Sequence, residues 1–177
     1  MDNSSKRIKD DIRFVAFHEA AHAYSHLLAG LSFEFITIDP IELQIYTGGK
    51  SSGYIFPINN TCNDWKSSAS GLSPEEFFEC FKSDFTIVSG LVAETIFRNG
   101  KFNKNSSKSD VKMLHDNPLM NHPEPFRKKY RSFLLEYTFQ LFKQKEHFSM
   151  IKKIANELLK EKTLYYDQVR KIVEEQV

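Results

Sequence analysis

The chain has 177 residues, of which 24 are Lys or Arg and 23 are Asp or Glu, and its formal net charge at pH 7 is +1. This balance, without any sustained basic stripe, gives no reason to expect a nucleic-acid partner. A hydrophobic fraction of 41% at this length is enough to bury the core of one domain. We expect residues 1–7 to form a flexible N-terminus and residues 8–177 to form a single domain, with segments 8–122 and 123–177 as its two halves.

The sequence predicts a cytoplasmic protein without a membrane span. No run approaches the roughly eighteen apolar residues that a transmembrane helix needs, and residues 1–6 lack the apolar segment of a signal peptide. Cys62 and Cys80 belong to no C-x-x-C pair. We therefore expect two free thiols in a reducing compartment.

The first predicted helix covers residues 8–29, with Gly30 as its stop signal. It contains an H-E-x-x-H pattern whose fixed residues are His18, Glu19 and His22. Because the two histidines are four residues apart, both imidazoles leave the same face of the helix and can reach one divalent ion. Glu19 is positioned to take a proton from water bound to that ion. The pattern predicts the site of a zinc hydrolase.

A helix can also carry these residues as a structural polar cluster without a metal. Here the flanking residues make the helix apolar, so it is expected to be buried. Buried polar groups without partners cost about 1–3 kcal/mol each, and a single ion supplies a partner for them. The metal site is therefore the favoured interpretation. The apolar flank consists of Phe14, Val15, Phe17, Leu27 and Leu28.

A small β-sheet is predicted next, packed beside the first helix. Residues 33–40 alternate apolar and polar side chains and form a strand that ends at Pro40. Residues 41–46 are a candidate second strand, and residues 53–57 form a third. Residues 47–51 are predicted as a hairpin turn: they end in Gly-Lys-Ser, but they lack the earlier glycine of a phosphate-binding loop.

The rest of the chain is predicted to be helical. After a surface loop at 59–71, residues 73–76 supply a capping Ser, a Pro in the first turn and a Glu three residues after the cap, so a helix begins there and runs to about Arg98. A polar loop leads to a short helix that starts near Asp110, and residues 125–176 hold two or three more helices. The predicted fold class is mainly α with a small β-sheet.

A hydrolytic zinc site usually has three protein ligands and one open position. Two acidic residues are candidates for the third ligand. Glu94 lies in an otherwise apolar helical segment, where a lone carboxylate needs a partner. Asp110 stands at the start of the short helix. The residue pattern alone leaves both candidates open.

Several of these segments follow one another in an order found in a known family. Together they resemble the peptidase domain of the FtsH-type, membrane-anchored ATP-dependent zinc proteases, over about residues 11–174. The chain departs from that family at Ala21, where Gly is usual, and in the absence of a phosphate-binding loop. The matching segments are His18 to Ala23, Phe35 to Pro40, Gly53-Tyr54, Ala93 to Phe97 and Ser109-Asp110.

The resemblance implies an FtsH-type, zincin-like peptidase fold with Zn²⁺ as its cofactor. It makes His18, His22 and Asp110 the metal ligands and Glu19 the catalytic base. It makes Glu94 the carboxylate that orients a ligand histidine.

The third metal ligand has alternatives, and one strand is a candidate for substrate binding. Glu94 and a histidine such as His115 stay as alternatives for the third ligand. The resemblance also implies that the strand with Gly53 and Tyr54 lies beside the cleft, where an extended substrate could pair with its edge.

The expected function is that of a stand-alone zinc metallopeptidase that hydrolyses peptide bonds of unstructured or extended polypeptides. Without an ATPase motor, it would depend on substrates that enter unaided or on a separate unfoldase or adaptor. The alternative is a non-catalytic, metal-stabilised module that uses the same fold to bind a peptide or a partner. The oligomeric state stays open.

Overall fold

Seven α-helices and one small sheet make up the described part of the chain, which in this computed structural model comprises residues 3–58, 72–101, 108–115 and 118–175. The loop predicted at 59–71, including Cys62, lies outside it. The helices are α1 (Asn3–Leu28), α2 (Pro40–Thr47), α3 (Pro74–Phe97), α4 (Lys108–His115), α5 (Phe126–Lys143), α6 (Lys145–Glu161) and α7 (Tyr166–Glu174). The strands are β1 (Phe33–Thr37), β2 (Tyr54–Pro57) and β3 (Thr163–Tyr165).

Helix α1 is the central element of the core and packs against both α3 and α6. Its residues Ala16, Ala20 and Ala23 are fully buried, and because each has only a methyl side chain, the neighbouring helices can approach closely. The ring of Phe17 stacks on the ring of Phe97 with centroids 4.2 Å apart. Through these contacts, the face of α1 that carries the two histidines packs against α3.

The sheet is antiparallel, with strand order β2-β1-β3. Ile36 of β1 pairs with Ile55 on one side and with Leu164 on the other, and both Ile36 and Leu164 are buried in the core. The predicted fold class, mainly α with a small β-sheet, is confirmed. Strand β3 was not predicted, because its three residues lie between two helices of the C-terminal region.

The second strand predicted at 41–46 is wrong, because this segment is helix α2. Asp39 caps the helix by accepting hydrogen bonds from the backbone N–H groups of Ile41 and Glu42, and Pro40 suits the first helical turn. Gly48 ends α2 in the left-handed conformation, with φ +63°. The predicted hairpin turn at 47–51 is therefore the last residue of a helix and the segment that follows it, not a turn between two strands.

The other predicted helices are found close to their predicted positions. Ser73 and Glu76 form the expected capping box at the start of α3, and three helices follow α4. Helix α1 starts at Asn3, earlier than predicted. Cys80 is fully buried in the core. Within the described ranges, none of the helices has the length and apolar character needed to cross a lipid bilayer.

Candidate metal centre

Three side chains from distant parts of the chain meet at one point. His18 and His22 lie on α1, and Asp110 lies in the first turn of α4. Oδ2 of Asp110 lies 2.9 Å from Nε2 of His18 and 3.7 Å from Nε2 of His22. Donor atoms around a tetrahedral zinc ion are about 3.3 Å apart. The group could therefore hold a metal ion.

The contacts within this group do not have the geometry of hydrogen bonds. Oδ2 of Asp110 is buried and has no hydrogen-bond partner among the described residues, although both imidazoles are close. A buried carboxylate oxygen without a partner costs about 1–3 kcal/mol or more. A cation would satisfy this oxygen, so the donor set fits a metal ion better than a closed hydrogen-bond network.

Gly90 of α3 forms one wall of the cluster. A methyl group at this position would lie 2.5 Å from Nε2 of His22 and 2.6 Å from Nε2 of His18. These are the same two nitrogen atoms that approach Asp110. Glycine in a helix interior costs about 1 kcal/mol relative to alanine, and here the missing side chain leaves space beside the candidate ligand atoms.

The imidazole of His22 is oriented by the backbone of α3. Its Nδ1 donates a hydrogen bond to the carbonyl oxygen of Thr86 at 2.7 Å, and the hydroxyl of Ser89 lies 3.4 Å from the same nitrogen. With the proton on Nδ1, Nε2 carries the lone pair that a metal needs. Ser25 stabilises this arrangement, because its hydroxyl contacts both the carbonyl of His22 and the hydroxyl of Ser89.

Glu94 lies behind His18, on the side away from Asp110. Its Oε2 is 3.4 Å from Nδ1 of His18, and its Oε1 accepts a hydrogen bond from Arg98 at 2.7 Å. The Arg98 guanidinium in turn lies over the ring of Phe14, 3.4 Å from its centroid. This geometry suits the predicted orienting role of Glu94, since metal-bound histidines usually meet a carboxylate through their second nitrogen.

The three candidates for the third metal ligand occupy different positions relative to the two histidines. Glu94 faces Nδ1 of His18, whereas the cluster forms around Nε2. His115 is exposed at the end of α4 and is not part of the group that could hold a metal. Asp110 is the candidate whose carboxylate lies close to Nε2 of both histidines.

Glu19 is buried beside the cluster and is covered by the backbone of Gly53. A methyl group on Gly53 would lie 2.5 Å from Oε1 of Glu19 and 2.7 Å from Cγ1 of Val15. Burial raises the pKa of Glu19, and the nearby His18 and His22 offset only part of this effect. A carboxylate with a raised pKa is a stronger base, which suits a role in proton transfer.

The cluster has a surplus of carboxylates that attracts positive charge. Burial by itself lowers the pKa of His18, but Asp110, Glu94 and Glu19 outweigh burial and raise it to about 10. Burial raises the pKa of Asp110, but His18 and His22 have the larger opposite effect. The pKa of Asp110 therefore lies well below its usual range. Positive charge is therefore stabilised here, either as a proton on His18 or as a metal cation.

Gly53 and Tyr54 lie where β2 begins. Because β2 is an outer strand in the order β2-β1-β3, one of its edges has no neighbouring strand among those described. Gly53 contacts Glu19, so this strand starts directly at the cluster.

Sequence reasoning missed the side of the cluster that α3 supplies. Gly90, Thr86 and Ser89 received no role in the cluster, although glycine inside an apolar helix is a known sign of close packing or function. That signal was available for Gly90. The carbonyl of Thr86 carries no such signal, because any residue type supplies the same backbone oxygen.

The sequence matches no family model and no curated protein with which it was compared. The fold and the cluster therefore define the class: a mainly helical protein with a largely buried His-His-Asp group that could hold a metal ion. The relationship to FtsH-type peptidases stays a prediction.

Proposed function

We propose that this protein is a zinc-dependent metallopeptidase that hydrolyses unstructured or extended polypeptides. The observation that carries the proposal is the convergence of His18, His22 and Asp110 beside a buried glutamate one residue after the first histidine. Two imidazoles and one carboxylate form a three-ligand set of the kind that zinc hydrolases use, with one position left for water or substrate.

The proposed chemistry assigns a separate task to each residue. His18, His22 and Asp110 would hold the ion. A Zn²⁺ ion bound there would polarise the scissile carbonyl and lower the pKa of water. As a water oxygen bonds to the carbonyl carbon, the Glu19 carboxylate takes the water proton and then donates it to the nitrogen of the leaving amine as the C–N bond breaks.

Substrate binding is proposed at the open edge of β2. Main-chain hydrogen bonds to an outer strand select an extended conformation and leave the peptide sequence largely free. The close approach of Gly53 to Glu19 supports this proposal, because Gly53 directly precedes β2 and Glu19 is the residue proposed as the general base. Folded substrates do not offer such a strand, so we infer a need for unfolded polypeptides, or for a separate unfoldase or adaptor in the cytoplasm.

Glu19→Gln is the variant that tests the proposal. Zinc content is measured by elemental analysis, and cleavage of an unfolded protein is followed by mass spectrometry. We expect about one zinc ion per chain in both wild type and variant, and a fall in kcat of at least about a hundredfold in the variant. Glu34→Gln, at an exposed position of β1, is the matched control and should cleave at the wild-type rate.

Two results would contradict the peptidase proposal. Equal cleavage by wild type and Glu19→Gln would assign the activity to a contaminant. Zinc binding without cleavage by the wild type would favour the non-catalytic, metal-stabilised binding module in its place.

A further inference from the structure

Five large aromatic side chains are exposed on the first half of α3 and on α5. Two of them, Phe77 and Phe78, are neighbours in the first turns of α3. We name this surface the α3–α5 face. Its members, with their exposed fractions, are Phe77 (38%), Phe78 (57%), Phe126 (40%), Phe133 (57%) and Tyr137 (43%).

Ring contacts make this face one continuous surface. The ring centroid of Phe77 lies 6.0 Å from that of Tyr130, and Phe81 lies 5.8 Å from Tyr137. Residue numbers rise together on both helices, so α3 and α5 run in the same direction. A shallow groove of about 390 Å³ beside Phe133 and Tyr137 extends the face along α5.

Charged residues of opposite sign border the face at matching heights. On α3, Glu75 and Lys82 lie two turns apart on the side that carries Phe78. On α5, Lys129 and Glu136 lie two turns apart on the side that carries Phe133. The ring contacts between the helices put Glu75 at about the height of Lys129 and Lys82 at about the height of Glu136. The two pairs of border charges therefore run in reversed order on the two helices, and Lys82 also forms an ion pair with Glu79 of its own helix.

We propose that the α3–α5 face is the contact surface of a homodimer. A two-fold axis parallel to the helices places α3 of one copy over α5 of the other. Glu75 then faces Lys129 of the second copy, and Lys82 faces Glu136, so that each pair occurs twice. The exposed aromatic rings meet between these charges, and an aromatic centre with a polar rim is the usual composition of a protein interface.

The aromatic part is tested by sedimentation velocity of the full chain over a range of concentrations. The wild type sediments as a dimer, and Phe133→Ser sediments as a monomer at the same concentrations. Tyr165→Ser removes a ring of similar exposure, 54%, from β3 and leaves the dimer intact. Circular dichroism checks that each variant keeps its helical content.

The charge pattern is tested by reversing and then restoring one pair. Lys129→Glu places like charges together in both symmetric contacts and raises the dimer Kd by about tenfold or more. Adding Glu75→Lys to the same chain restores the attraction and brings the Kd back towards the wild-type value. If the association were only hydrophobic, adding Glu75→Lys would not bring the dimer Kd back towards the wild-type value.

Three outcomes would overturn the homodimer. The first is a wild type that stays monomeric up to about 100 µM. The second is a dimer whose Kd changes with neither Phe133→Ser nor Lys129→Glu. The third is a monomer that co-sediments with phosphatidylserine-containing vesicles only when Phe133 is present, since the face would then be a membrane contact.

Discussion

Gly90 decides how closely α3 can approach the imidazoles of His18 and His22. The pair of histidines was predictable, because the spacing of His18, Glu19 and His22 is a local property of one helix. The role of Gly90 was not, because it depends on the packing of a second helix against the first. Nothing in the residue pattern could decide between Asp110 and Glu94 for the same reason: the choice depends on which part of the fold reaches Nε2.

Gly90→Ala is expected to weaken metal binding without unfolding the protein. The added methyl group would lie 2.5–2.7 Å from atoms of the two imidazoles, so the rings or the helix must shift, and the two candidate ligand nitrogens move from their present positions. Alanine favours the helix by about 1 kcal/mol over glycine, which limits the loss of fold stability. We expect the zinc Kd, measured by competition with a chromogenic chelator, to rise by at least about tenfold.

Ser83→Ala, on the same helix, is the control for that measurement and should keep the wild-type Kd. An unchanged affinity in Gly90→Ala would show that the cluster has room for a methyl group, which would contradict the role assigned to this glycine.

Asp84 gives the stability of the fold a pH dependence of its own. It is fully buried, and Tyr130 donates a hydrogen bond to its Oδ2 at 2.8 Å. Burial raises its pKa from 3.8 to about 7, more than the hydrogen bond lowers it. Between these pH values the folded state holds a proton that the unfolded state has lost. This contribution to the free energy of unfolding is therefore fully present below about pH 4 and declines up to about pH 7.

Asp84→Asn should remove that part of the pH profile. Asparagine cannot ionise but still offers an oxygen to Tyr130. Between pH 4 and pH 7 the free energy of unfolding of the variant should therefore fall by less than that of the wild type, with a difference of up to about 4 kcal/mol. Urea unfolding across this range measures the difference. Asp167→Asn, at an exposed position of α7, should follow the wild type, and parallel profiles for Asp84→Asn and wild type would contradict the prediction.

At the scale of whole elements, the predictions were correct where the signals were local and strong. The start of α3 was found because Ser73, Pro74 and Glu76 form a recognisable cap. Helix α2 was mistaken for a strand because its β-branched and aromatic residues were given more weight than the Asp39-Pro40 start signal. Strand β3 has only three residues and exists through its pairing with β1, which no local pattern shows.

Helix α4 is the element whose order should depend most on the metal. It has eight residues and carries Asp110 in its first turn, and helices this short are marginal on their own. An ion bound to Asp110 would tie α4 to α1 through His18 and His22. We expect zinc to slow amide hydrogen exchange in residues 108–115 by about tenfold or more.

Helix α6 is the internal control for that exchange experiment, since its residues Ile151, Ile154 and Leu158 are already fully buried. Its exchange should change little with zinc, and Asp110→Asn should remove the effect on α4. Equal zinc protection of α4 in wild type and Asp110→Asn would contradict the assignment of Asp110 as a ligand.

For the molecule as a whole, the cluster joins three elements that are far apart in the sequence. Helix α1 supplies His18 and His22, α4 supplies Asp110, and α3 supplies the wall at Gly90. Around this centre the mainly helical fold was predictable from periodicity and caps. The meeting of the three elements was not, because it follows from burial of the alanine-rich face of α1.

Anomalous diffraction at the zinc absorption edge, from crystals grown with zinc, is the most direct test of the proposed centre. The account predicts one strong peak within about 2.0–2.2 Å of Nε2 of His18, Nε2 of His22 and a carboxylate oxygen of Asp110. No peak at this position, or zinc bound only elsewhere in the molecule, would contradict it.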